Sequence, residues 1–100
     1  MTDFARLRAA MVRDQLQARG IRDPAVLAAF HEVPRELFVP DHLQHQAYDD
    51  RALPIEADQT ISQPFIVAVM LEAAQLSPGD HVLEVGAGSG YAAALLARLT

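Results

Sequence analysis

The stretch "HVLEVGAGSGYAAALLAR", residues 81–98, constrains the fold more than any other. A short β-type apolar run is followed at once by three glycines at alternate positions, and a helical run rich in alanine and leucine begins at Tyr91. A strand that turns into a helix through a glycine loop opens a βα unit of a doubly wound α/β sheet, where ligands bind at the carboxyl ends of the strands. Gly86, Gly88 and Gly90 let the backbone turn tightly and approach a ligand with no Cβ in the way. A dinucleotide fingerprint, G-x-G-x-x-G, would need a small residue at position 91. Tyr91 stands there instead, and Glu84 precedes the first glycine by two residues. A plain connecting turn and a dinucleotide site are the alternatives at this point.

Upstream, the chain reads as helical to about residue 50. Thr2 or Asp3 can cap a helix over 3–19, with Phe4, Leu7 and Met11 at helical spacing and Gly20 as a left-handed stop. Asp23-Pro24 pairs a capping acid with proline at the first helical position and opens a short helix, Ala25 to His31. "VPRELFVP" allows one helical turn between Pro34 and Pro40, and Asp41 can cap another running to about Tyr48. Pro64 begins a firmer helix, Phe65 to Gln75, with Phe65, Val69 and Glu72 spaced along it, and "SPGD" at 77–80 is a turn. The expected organisation is a helical N-terminal extension over 1–50, then a loop, a helix and the first βα unit over 51–100. The chain stops within "YAAALLARLT" without a cap or stop signal, so the N-terminal piece of a longer protein is expected.

The composition, 51% hydrophobic, is that of a soluble globular protein. No apolar stretch is long enough for a membrane span, and the charged N-terminus lacks the apolar core of a secretory signal. The absence of cysteine leaves neither disulfides nor thiolate chemistry, which fits a cytoplasmic protein. Thirteen acids against eight cations give a net charge of −5, which argues against nucleic acid as the main partner. All the cations are arginines, so no Schiff-base amine is available. His42 and His45 lack a third ligand at a convincing spacing, and no metal site is expected. Arg6, Arg8 and Arg13 read as a mixed-charge surface, Asp49-Asp50 as a solvent-facing loop, and Phe65 and Tyr91 as packing residues able to border a pocket.

"LPIEADQTISQPFIVAVMLE", residues 53–72, sets a polar loop ending in Thr60 and Ser62 just ahead of a helix. Short hydroxyls beside a helix N-terminus can hold a carboxylate through neutral hydrogen bonds. Ser62 also stands where serine N-caps a helix beginning near Pro64, and both roles can hold together. The E-x-G-x-G-x-G spelling from Glu84 resembles the first motif of class I methyltransferases, which bind S-adenosylmethionine. "TISQP" beside "VLEVGAGSGYAAALLA", with "ARGIRDPAVLAAFHEVPRELFVP" upstream, resembles the protein-L-isoaspartate O-methyltransferases from about Leu16 onward.

That resemblance implies a Rossmann-like methyltransferase sheet preceded by a helical extension, with S-adenosyl-L-methionine as cofactor. The implied partners are damaged proteins, repaired by methylation of the free α-carboxylate of L-isoaspartyl residues; no metal, nucleic acid or membrane belongs to this reading. Carried onto this chain, the active-site serine is Ser62, with Thr60 and Ile61 on the substrate loop. Glu84, Gly86, Ala87, Gly88 and Gly90 fall on the cofactor motif. The 100 residues by themselves are expected to be inactive. Two other readings stand beside this one: a methyltransferase of another substrate, and a non-catalytic relative that only binds cofactor. The family usually has glycines around the segment written here "EADQT". Glu56 and Asp58 stand in their place, so a left-handed backbone and acids beside a carboxylate site are expected there.

Overall fold

A computed structural model describes residues 2–100. Asp3 caps the first helix by accepting from the Arg6 amide at 3.1 Å. Helix α1 (Phe4–Met11) runs into a π-helical turn, Val12–Leu16, and a 3₁₀ turn, Gln17–Arg19, and ends at Gly20 with φ 100°. Its buried side chains are Met11, Val12 and Leu16, while Leu7 is exposed and Phe4 half-buried. Leu7 therefore lies outside the buried stripe, which Met11 begins and Val12 and Leu16 continue through the π turn.

Helix α2 (Pro24–Glu32) starts where the Asp23 carboxylate accepts from the Ala25 amide at 2.9 Å. It buries Val26, Ala29 and Phe30 on one face. Two 3₁₀ turns follow, Arg35–Phe38 and Asp41–Gln46; Pro40 takes the cap position of the second and Asp41 is its first residue. Helix α3 (Pro64–Ala74) buries Pro64, Val67, Ala68 and Leu71, and helix α4 (Tyr91–Leu99) buries Tyr91, Leu95 and Leu99. The spacing of three and four on α3, and of four on α4, is that of one helical stripe. On α3 that stripe is rotated from the Phe65–Val69–Glu72 spacing read in the sequence. Val69 is exposed, and Glu72 reaches back to accept from the amides of Arg22 and Asp23, both at 2.8 Å. Helix α4 packs on α2, so a single core joins residues on both sides of position 50.

The sheet among the described residues is one antiparallel hairpin, β1 (Leu53–Pro54) and β2 (Thr60–Ile61), with Leu53 opposite Ile61 and Pro54 opposite Thr60. The sequence reads this segment as a loop, because two-residue strands carry no legible alternation. Its turn has the φ signature of type I′. Ala57 and Asp58 lie at φ 59° and 57°, and the Gln59 amide donates to the Glu56 carbonyl at 3.3 Å. The left-handed backbone thus falls on Ala57 and Asp58, and Glu56 is outside it.

The strand expected at "HVLEV" is not formed; Leu83 and Val85 are 88% and 89% exposed. A strand exists only as part of a ladder, and no described segment pairs with this one. Helices plus a small sheet make a coarse α/β architecture. No helix among the described residues is long and apolar enough to cross a membrane.

Candidate active site

The two segments singled out in the sequence both line one cavity of about 470 Å³. Thr60, Ile61 and Ser62 line it together with Glu84, Gly86, Ala87 and Gly88, and residues of α3 and Tyr91 complete the wall. Gly90 is off the wall. It precedes α4 with φ 83°, and a Cβ there would meet the Phe38 ring at 3.9 Å. At Gly88, whose φ is 54°, the glycine loop packs against the Thr60–Ser62 segment. A Cβ built on this glycine would lie 3.7 Å from Gln59 Oε1 and 3.9 Å from the Thr60 carbonyl. Glycine here lets the loop take a left-handed turn directly against β2.

Ser62 is exposed on this wall, and its hydroxyl, like that of Thr60, has no hydrogen-bond partner among the described residues. The expected capping role is not realised: Gln63 is the N-cap residue of α3, with no side-chain cap hydrogen bond. Gln63 is committed elsewhere, its Nε2 donating to Asp50 Oδ1 at 2.7 Å. Asp50 also accepts from Arg19, and those two bonds hold its carboxyl down to about 2. Glu84 is half-buried, and its Oε1 is a fully buried acceptor with no donor. Such an atom loses its water without replacement, and a ligand donor would relieve that cost. No arginine lines the cavity, and the chain has no lysine.

Behind the Ser62 wall is a polar cluster that the sequence does not reveal. Arg35 is fully buried. Its Nε donates to the Ala47 carbonyl at 2.6 Å and its Nη2 to the Ser62 carbonyl at 2.9 Å. Its guanidinium lies 4.9 Å from the centre of the Tyr91 ring. Burial pushes this guanidinium below its usual value, partly offset by Tyr91 and Tyr48. The Tyr48 hydroxyl accepts from the Arg35 amide at 3.1 Å and from Arg8 Nε at 2.8 Å, and it donates to Glu36 Oε1 at 2.5 Å. Burial and the Glu36 carboxylate push the Tyr48 hydroxyl up to about 12. For Glu36, burial alone would raise the carboxyl, but hydrogen bonds from Tyr48 and Arg8 outweigh it and hold it low.

Arg8 is therefore an internal tie and not part of a charged surface. Arg35 and Glu36 sit in "VPRELFVP", where nothing in the spelling distinguishes inward charges from solvated ones; the tight turn between Pro34 and Pro40 turns both inward. Tyr91 is a buried packing residue and borders the cavity as well. Phe65 lies under Arg19, at 5.7 Å from the ring centre. Glu56 lines a neighbouring groove, and neither it nor Asp58 reaches the main cavity. His42 and His45 are exposed, and no cluster of three metal-ligating side chains occurs among the described residues.

Residues 6–100 match the family described as Protein-L-isoaspartate(D-aspartate) O-methyltransferase (PCMT). Among curated proteins the chain is similar to Protein-L-isoaspartate O-methyltransferase 1 of Rhodopseudomonas palustris (strain HaA2), 60% identical over 98% of this chain and 40% of that protein. The Protein-L-isoaspartate O-methyltransferase of Methylorubrum extorquens (strain PA1) is 65% identical over 97% of this chain and 42% of its own length. That of Roseiflexus sp. (strain RS-1) is 61% identical over 97% of this chain and 44% of its own. The chain thus spans 40–44% of the length of these relatives. With nearly its whole length matched, the chain belongs to the protein-L-isoaspartate(D-aspartate) O-methyltransferase family.

Proposed function

We propose that the protein bearing this chain repairs damaged proteins by methylating the free α-carboxylate of L-isoaspartyl residues, with S-adenosyl-L-methionine as methyl donor. The observation that carries this reading is the meeting, in one cavity, of two unpartnered hydroxyls and one unpartnered buried carboxylate oxygen. Residues 51–100 would supply the substrate loop and the first βα unit of a doubly wound sheet, and residues 1–50 a helical extension against it. The segment "HVLEV" would become a strand when other strands flank it.

The residues present fit the cofactor. Glu84 Oε1 lacks a donor and would accept from a ribose hydroxyl or an ammonium group, and Gly86, with nothing within 4 Å of where a Cβ would stand, leaves room nearby. When bound, the cofactor supplies an electrophilic methyl group on a cationic sulfur. The substrate carboxylate, with an ordinary pKa near 4, is already anionic at neutral pH, so this chain need supply no general base. Its task is alignment and exclusion of water. The Ser62 and Thr60 hydroxyls donate to the carboxylate. The lack of an arginine on the wall favours reaction, because a cation held against the carboxylate would quench its nucleophilicity.

Ser62 orients the substrate and is not itself methylated. In the full-length protein, Ser62→Ala is expected to lower methyl transfer to an isoaspartyl peptide by orders of magnitude while the fold is kept. Transfer close to wild type would remove Ser62 from the reaction.

A further inference from the structure

Arg35 is a buried cation with no carboxylate partner: its hydrogen-bonded neighbours are the carbonyls of Ala47 and Ser62, and its Nη1 has no partner at all. Burying a charge among neutral groups is costly, and an apolar side chain of similar volume would stabilise the same space more cheaply. What the guanidinium does that an apolar side chain does not is join three segments through one rigid planar group. Nε fixes the chain at Ala47, Nη2 fixes the peptide that carries Ser62, and the guanidinium carbon lies 4.9 Å from the ring centre of Tyr91, the first residue after the glycine loop. Holding the Ser62 carbonyl sets the plane of the peptide that follows Ser62, and with it the direction from which its hydroxyl enters the cavity.

We propose that Arg35 is a positioning residue for the active site, acting through the Ser62 carbonyl to keep the Ser62 hydroxyl aimed at the glycine-loop wall. This rests on the methyl-transfer reading above. Arg35 itself touches neither substrate nor cofactor; it sits behind the loop, outside the residues that line the cavity.

The test is a double-mutant cycle in the full-length protein, with Arg35→Met and Ser62→Ala read as kcat/KM for an L-isoaspartyl peptide. Arg35→Met alone is expected to lower kcat/KM by about 10- to 100-fold, the cost of a reacting group displaced by about an ångström. In the Ser62→Ala background the same change is expected to cost under about 3-fold, since the hydroxyl it positions is already gone. Arg35→Lys keeps the charge but cannot span Ala47 and Ser62 together, and it is expected to follow Arg35→Met in the cycle. Losses that multiply fully, or no loss from Arg35→Met, would overturn the role. If both Arg35 variants fail to fold, Arg35 belongs to the core alone and the proposal fails. A wild-type protein that transfers no methyl group to the peptide refutes the function, and this role with it, whereas an active wild type with multiplying losses refutes only the role.

Discussion

The hairpin turn allows a backbone effect to be separated from every side-chain effect. Ala57 has φ 59° and is exposed, so replacing it changes the backbone preference and little else. An L-residue held left-handed costs about 1–2 kcal/mol. Ala57→Gly removes that cost and adds about 0.4–1 kcal/mol of unfolded-chain entropy. Taking the middle of both ranges, the difference is a net stabilisation of about 0.8 kcal/mol, which for a protein of the relatives' length raises the thermal midpoint by about 2–3 °C. Ala57→Val is expected to move the midpoint the other way, because a β-branched residue tolerates positive φ worst. Thermal unfolding of the full-length variants, followed by circular dichroism, reads both changes. Methyl transfer should stay within about 2-fold of wild type for Ala57→Gly, since residue 57 is off the cavity wall. A neutral or destabilising glycine together with a harmless valine would refute the left-handed turn and the hairpin register built on it.

Tyr48→Phe removes a hydroxyl that makes three hydrogen bonds, and it should destabilise by about 1–3 kcal/mol in denaturant titration. Because folding raises Tyr48 from 10.0 to about 12, its contribution is complete below pH 10 and is lost as pH rises through about 12. Wild type should therefore lose stability over that alkaline window, and the Phe variant should lack this component. Glu84→Gln should weaken S-adenosylmethionine binding by about 10- to 100-fold in calorimetry, the cost of exchanging a charged acceptor for a neutral one. Ser62→Ala should change stability by under about 0.5 kcal/mol, because Gln63 and not Ser62 occupies the cap position.

Local chemistry made much of this fold legible. Asp3 and Asp23-Pro24 start their helices as capping rules require, and Gly20 stops the first. The glycine loop and the Thr60–Ser62 loop stand out in the sequence because each breaks the surrounding apolar pattern, and both line the cavity. What local reading misses is set by distant partners. Arg35 becomes a buried tie only when Ala47, Ser62 and Tyr91 close around it. Glu72 turns from a helix-face residue into a cap for Arg22 and Asp23, fifty and forty-nine positions away. The apolar run at Val82–Val85 carries strand preference, but preference does not substitute for a neighbouring strand. Ala57 shows the converse, a residue with no turn preference held left-handed by the hairpin around it.

The central claim is most directly tested by methyl transfer from labelled S-adenosylmethionine, catalysed by the full-length protein, to two peptides differing only in L-isoaspartate or normal aspartate at one position. The account predicts label on the isoaspartyl peptide alone, as a base-labile methyl ester. Equal labelling of both peptides, or none on either while the cofactor still binds, would contradict it.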